Sequence, residues 1–87
     1  PAKSAATQQF EQKALKQKIA KLEKQMAILQ NEFDELQGWL ASEAAYQADQ
    51  QDAVITASKR HADLASLLAP LEEEWLAMND EFESLSN

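Results

Sequence analysis

The chain has 87 residues, among them one Gly, two Pro, one His and no Cys, and its net charge at pH 7 is −7. A Walker A loop needs two glycines, and a nucleophilic thiol or a standard zinc site needs Cys or several His, so these sites are excluded. The longest uncharged stretch, residues 64–71, is far shorter than the ~18 residues of a membrane span. We therefore expect no enzymatic activity, no bound cofactor and no membrane insertion. The lack of Cys and of a signal peptide favours a cytoplasmic location.

Charge is distributed unevenly along the chain. Residues 1–24 contain six lysines and two glutamates and carry a net charge of +4. Residues 25–87 contain Lys59 and Arg60 against thirteen acidic residues and carry −11. The acidic part argues against general affinity for nucleic acids, so any contact with a polyanion is expected in the basic first segment.

The first apolar repeat predicts a long helix. From Leu15 to Leu40 the apolar residues follow alternating gaps of four and three, which is the heptad pattern of a coiled coil. Residues 1–9 are small and polar, so we predict a disordered linker end there and a helix over residues 10–41. Because the sequence starts at Pro and not at Met, we expect it to be part of a longer protein.

A second apolar repeat predicts a second helix. The repeat is interrupted over residues 42–50, which we predict to be a tip, and it resumes from Val54 to Leu85, which predicts a helix over residues 51–86. Pro70 lies inside this helix and removes one backbone hydrogen bond, so we expect either a kink or a stop and restart there. Two helices of similar length with a short connection form an antiparallel hairpin. The predicted fold is all-α, an antiparallel coiled-coil hairpin of two helices over residues 10–86.

The hairpin admits two registers. In the first, charges are matched and Glu32 faces Arg60; in the second, apolar residues are matched and Leu40 faces Ala57. Exposed ion pairs contribute only ~0.2–1 kcal/mol each, so we favour the second register.

The lysines of the first helix are the candidate site for phosphate contact. They either meet the backbone of RNA or DNA, or only neutralise the acids opposite. The candidate contact residues are Lys13, Lys16, Lys21 and Lys24.

Three further residues have alternative interpretations. Trp39 and Tyr46 flank the start of the tip and either form an exposed contact surface or staple the tip to the helices. We favour the staple, because few other apolar residues can hold that end. His61 lies at a seam position and is interpreted as a stacked seam residue and not as a ligand or a pH switch. No catalytic, cofactor-binding or metal-binding residue is predicted.

A set of residues spread over positions 10–85 forms a recognisable pattern. Its members are Leu22-Glu23, Leu29, Leu36, Tyr46 at the tip, Leu64, Leu71-Glu72, Trp75-Leu76 and Glu81-Phe82-Glu83. This pattern resembles the C-terminal coiled-coil hairpin of ABC-F proteins, which carry two ATP-binding cassettes and no membrane domain.

The resemblance implies a non-catalytic arm that contacts the ribosome and RNA, or DNA, and directs the cassettes that precede it in the same chain during translation. ATP and Mg²⁺ are then expected in those cassettes of the parent protein. The charge of −7 departs from the more basic arms of the family and confines the expected nucleic-acid contact to the segment 13–24.

Two alternatives stay open. A purely structural or dimerising coiled coil shares the heptads, and a tRNA-contacting arm of an aminoacyl-tRNA synthetase shares the hairpin shape. The sequence leaves the oligomeric state open as well.

Overall fold

The computed structural model describes residues 4–86, which form two long α-helices joined by a short tip. Helix α1 is Ala5–Leu40 and helix α2 is Gln51–Ser86, each of 36 residues. The tip, residues 41–50, contains two 3₁₀ turns, Glu43–Tyr46 and Ala48–Gln50. The hairpin extends 68 Å along its long axis and 15 Å along each of the other two. The prediction of an all-α antiparallel hairpin is confirmed.

Helix α1 begins at Ala5, five residues before the predicted start, because Ser4 caps it. The backbone of Ser4 is extended, and its Oγ accepts a hydrogen bond from the Thr7 backbone N–H at 3.2 Å. This bond satisfies one of the first-turn donors that a helix leaves without a partner, and the alanines that follow are strong helix formers. The expected linker is thus corrected for residues 5–9, which are helical, while residues 1–3 lie outside the described residues.

A single seam between α1 and α2 forms most of the core. The buried residues of the described chain are Leu15, Ile19, Leu22, Ala45, Ala57, Leu64 and Leu68. All of them except Ala45 belong to the two predicted heptad repeats. Leu64 is the most completely covered, with 0% of its surface exposed. Most other heptad residues are half-buried, since each helix covers its partner from one side only.

Contacts near both ends of the seam define the register. At the open end, where α1 begins and α2 ends, Gln12 Nε2 donates a hydrogen bond to Ser86 Oγ at 3.1 Å. Near the tip, His61 Nε2 lies 3.4 Å from Gln37 Oε1. Both pairs fall within one residue of the register that matches the apolar residues, which is the favoured one.

An ion pair expected from the other register also forms. Arg60 donates from Nε and from its terminal nitrogen to the two carboxylate oxygens of Glu32, at 2.5 and 2.8 Å. The length of the arginine side chain lets it reach along the hairpin, so the two registers are not exclusive for this pair. The hydrogen bond from Arg60 lowers the pKa of the Glu32 carboxyl below its usual value of 4.5.

The Glu32–Arg60 pair predicts a pH-dependent part of the stability. Because the pKa of Glu32 is lower in the folded state, the pair stabilises the hairpin above pH ~4.5, and this contribution is lost as the pH falls through the folded-state pKa. We expect Glu32→Gln to remove this part of the pH dependence of the melting temperature, measured by circular dichroism from pH 7 downwards. Glu35→Gln, at an exposed position of the same helix, serves as the control. Identical pH profiles for the two variants would contradict the assignment.

Helix α2 continues without interruption through Pro70. Of the two alternatives expected at Pro70, a kink or a stop and restart, the stop and restart is excluded. Leu64 and Leu68 before the proline are buried and Leu71 after it is half-buried. Packing of these residues in the seam keeps the segments before and after Pro70 in the same heptad register. Pro70 is exposed, and the missing hydrogen bond to the carbonyl of Ser66 lies on the solvent side of the helix, where water can replace it.

Candidate functional site

The lysines of α1 lie on the surface of the half of the hairpin farther from the tip. All five are exposed: Lys13, Lys16, Lys18, Lys21 and Lys24. The buried residues Leu15, Ile19 and Leu22 alternate with them along the helix. Since the seam takes one side of the helix, the spacing of 3.6 residues per turn directs the lysines away from it.

Heptad position divides these lysines into two groups. Lys16 and Lys18 occupy positions that flank the seam, whereas Lys13, Lys21 and Lys24 occupy outer positions. Lys21 is the outer lysine that also reaches a groove beside the seam, which it lines together with Glu74 of α2. We call the surface formed by Lys13, Lys21 and Lys24 the outer lysine surface. It extends ~16 Å along α1, at 1.5 Å per residue.

The α1 lysines form no direct ion pairs with the acids of α2 within residues 4–86. Among residues 4–86, none of the five takes part in an ion pair. Lys18 and Lys21 line the same shallow groove beside the seam as Glu74, without forming an ion pair with it. The structure thus leaves the ammonium groups of these five lysines without a direct carboxylate partner among residues 4–86.

The tip is not held by Trp39 and Tyr46 together, as the favoured prediction had it. Tyr46 is 80% exposed, so it does not staple the tip to the helices, whereas Trp39 is half-buried at the end of α1. The backbone N–H and the Oγ of Ser42 both donate to the Trp39 carbonyl, at 3.0 and 2.5 Å. Ala45, at 7% exposure, is the residue that the tip buries. The tight 3₁₀ turn over residues 43–46 places Ala45 inward and leaves Tyr46 outward.

The lysines and the tip aromatics do not form one site. Lys24, the α1 lysine nearest the tip, is sixteen residues before the end of α1 at Leu40, a separation of ~24 Å along the helix. A single small ligand cannot contact both. Tyr46 remains available as a separate contact at the far end of the hairpin.

His61 is a seam residue, as interpreted from the sequence. Its ring stacks on Phe33 with 4.1 Å between ring centroids and 20° between the planes. No group of three or more His, Cys, Asp or Glu side chains within residues 4–86 is arranged to hold a metal ion.

A groove beside Trp75 is a feature that the sequence did not predict. The groove has a volume of about 480 Å³. It is lined by Met26, Trp75 and Leu76, which is 57% exposed, and by the carboxylate residues Glu23 and Glu72. The indole N–H of Trp75 is buried without a hydrogen-bond partner. The heptad pattern places Trp75 in the core but does not predict that the seam stays open on one side of it.

Phe10 is a second feature that sequence reasoning missed. It is 74% exposed and, together with Lys13, Ala14 and Gln17, lines a shallow depression of about 220 Å³ on α1. Phe10 lies outside both heptad repeats, and a large apolar residue outside the repeat is the signal that could have found it.

No helix formed by residues 4–86 combines the length and the apolar composition that a membrane crossing requires. Comparison of the chain with protein-family models, with curated proteins and with solved structures finds no match. The resemblance to ABC-F proteins therefore depends on the residue pattern alone.

Proposed function

We propose that the chain is a non-catalytic coiled-coil arm of an ABC-F type ATPase, which contacts RNA at the cytoplasmic ribosome and so directs the ATP-binding cassettes of its parent protein. The observation that carries the proposal is the exposure of the α1 lysines, none of which is ion-paired within residues 4–86. Lysines that no acid of the hairpin pairs are available to contact the phosphates of a partner. Exposed, mobile ammonium groups of this kind are typical phosphate contacts.

The shape of the hairpin suits such a contact. It is a rod 68 Å long, and the outer lysine surface occupies one side of it near the open end. Lys13 and Lys21 are separated by ~12 Å along the helix, so they can meet different phosphates of one nucleic-acid strand.

The net charge of −7 does not prevent this contact. The acidic run Glu72–Glu74 is exposed on α2, and Glu74 lines a groove together with Lys21, whereas Lys13 and Lys24 do not line this groove. Packed helices lie 8–10 Å apart, and charges on their outer sides are farther apart still. At physiological ionic strength, with a Debye length of ~8 Å, the repulsion from α2 is largely screened at Lys13 and Lys24 on the outer side of α1. The acids thus favour approach of the RNA from one side only.

Neutralising the outer lysine surface tests the proposal. We expect Lys13→Gln, Lys21→Gln and Lys24→Gln, combined in one variant, to weaken RNA binding on the order of tenfold at moderate salt. Loss of three phosphate contacts also lowers the slope of log K against log salt by about 2 for a single strand. Fluorescence polarisation with labelled RNA measures both the affinity and its salt dependence. Co-sedimentation with ribosomes measures binding to the ribosome.

A matched single substitution controls for charge. Lys59→Gln changes the net charge by the same amount as Lys24→Gln but lies on α2, away from the outer lysine surface. We expect Lys24→Gln to weaken binding more than Lys59→Gln does. Equal effects of the two would show that binding depends on net charge alone, and an unchanged affinity of the triple variant would refute the proposed function.

A further inference from the structure

An exposed aromatic ring adjoins the outer lysine surface. Phe10 is 74% exposed in the second turn of α1, and Lys13 follows it by three residues on the same side of the helix. We propose that Phe10 is a stacking platform for one unpaired base, so that this surface binds single-stranded RNA in preference to duplex. The inference rests on the proposed function, because Lys13, Lys21 and Lys24 supply the phosphate contacts in both.

The surroundings of Phe10 suit a flat ligand. The depression beside the ring is lined by Lys13, Ala14 and Gln17 and has a volume of about 220 Å³. Ala14 is small and leaves space next to the ring, one turn further along the helix. The amide of Gln17, one turn beyond, can donate to and accept from the edge of a base. Lys13 can contact the phosphate that joins this base to its neighbour.

The depression favours unpaired over paired bases. In an A-form duplex the base faces are stacked inside the helix and the major groove is too narrow for side chains, so a duplex offers phosphates and ribose but no base face. A single strand exposes its base faces, and aromatic side chains beside a basic surface are the usual means of binding it.

The same side of α1 does not suit a membrane surface. Ile28, which is 69% exposed, is the next large apolar residue on this side after Phe10. Between them this side carries Ala14, Gln17, Lys21 and Lys24. A helix that lies in a membrane interface needs a continuous side of large apolar residues, which is missing over these turns.

Removing the ring tests the inference. We expect Phe10→Ala to weaken binding of a fluorescein-labelled oligouridylate by about fivefold to a hundredfold, the usual range for one lost base stack. Binding of a labelled RNA duplex of equal phosphate count should change less than twofold. Phe10→Trp should restore single-strand affinity, because a larger aromatic ring also stacks.

Ile28→Ala provides the matched control. It removes an equally exposed apolar side chain from the same side of α1, outside the depression, and should leave both affinities unchanged. Circular dichroism checks that each variant keeps its helical content.

The outcomes separate the inference from the proposed function. If the triple lysine variant loses affinity while Phe10→Ala keeps its single-strand affinity, the stacking platform is refuted and the RNA-binding arm survives. If neither variant loses affinity, both are refuted. Equal losses for single strand and duplex in Phe10→Ala, or binding to phosphatidylserine vesicles in place of RNA, would also overturn the inference.

Discussion

Replacing Leu64 by Ala lowers the free energy of unfolding by about 2–5 kcal/mol, the usual cost of truncating a buried leucine. Leu64 has 0% of its surface exposed, the most complete burial in the described chain. A small core seldom supplies more than ~3–5 kcal/mol in total, so this single truncation removes much of the stability of the hairpin. We expect low helical content and an early, broad melting transition, measured by circular dichroism.

Leu29 provides the comparison for Leu64. It occupies an equivalent heptad position on α1 but is only half-buried. Leu29→Ala should therefore cost clearly less, because solvent already reaches part of its surface and can fill the space that the truncation leaves. Equal melting temperatures for the two variants would mean that burial within the seam is more uniform than the structure shows.

Replacing Pro70 by Ala raises the free energy of unfolding by about 1–3 kcal/mol, up to the full cost of a proline in a helix interior. Helix α2 is continuous at this position, and the side chain is exposed, so the substitution creates no cavity. It restores the backbone hydrogen bond to Ser66 and replaces the worst helix former with the best one. Urea unfolding, followed by circular dichroism, measures the shift in midpoint.

Ser66→Ala is the control for Pro70→Ala. It places alanine at an exposed position of the same helix without changing the backbone hydrogen bonds, so the difference in propensity is only a few tenths of a kcal/mol. A midpoint in Pro70→Ala that does not exceed that of Ser66→Ala would show that the proline is accommodated without cost.

The fold could be predicted because alternating gaps of four and three determine which side of a helix is apolar. The residues from Leu15 to Leu40 and from Val54 to Leu85 each define one such side, and two sides with a short connection have one simple way to cover each other. The register followed from the same residues, since apolar contact outweighs exposed charge pairs.

The start of α1 and the path of the tip were less predictable because they depend on local geometry and not on periodicity. The start at Ala5 depends on a hydrogen bond from the Thr7 backbone N–H to Ser4 Oγ, which the heptad pattern does not report. At the tip, an interrupted repeat shows that the helix stops but not how the chain turns. The 3₁₀ turn that buries Ala45 and exposes Tyr46 is a matter of backbone dihedral angles over four residues.

The exposure of the α1 lysines was predictable from the sequence, but their surroundings were not. Heptad position alone places Lys13 and Lys24 on the outer side of α1. Whether such lysines pair with acids depends on side-chain rotamers and on the exact axial offset between the two helices. Within residues 4–86, the ion pair between the helices is formed by the long side chain of Arg60 with Glu32. The depression beside Phe10 depends on the small size of Ala14 one turn away, a contrast in volume that hydropathy patterns do not register.

The length of the hairpin separates its tip widely from its open end. Both ends of the described chain lie at one extremity and Tyr46 at the other, with a rod 68 Å long between them. Domain rotations are common in proteins whose domains rearrange around ligands. If the whole hairpin pivots about its open end as a rigid body, the contacts within the seam stay unchanged. Tyr46, at the opposite end, is then displaced farther than any other part of the rod. A longer seam therefore gives a larger displacement of Tyr46 for the same angle of rotation, whatever either end binds.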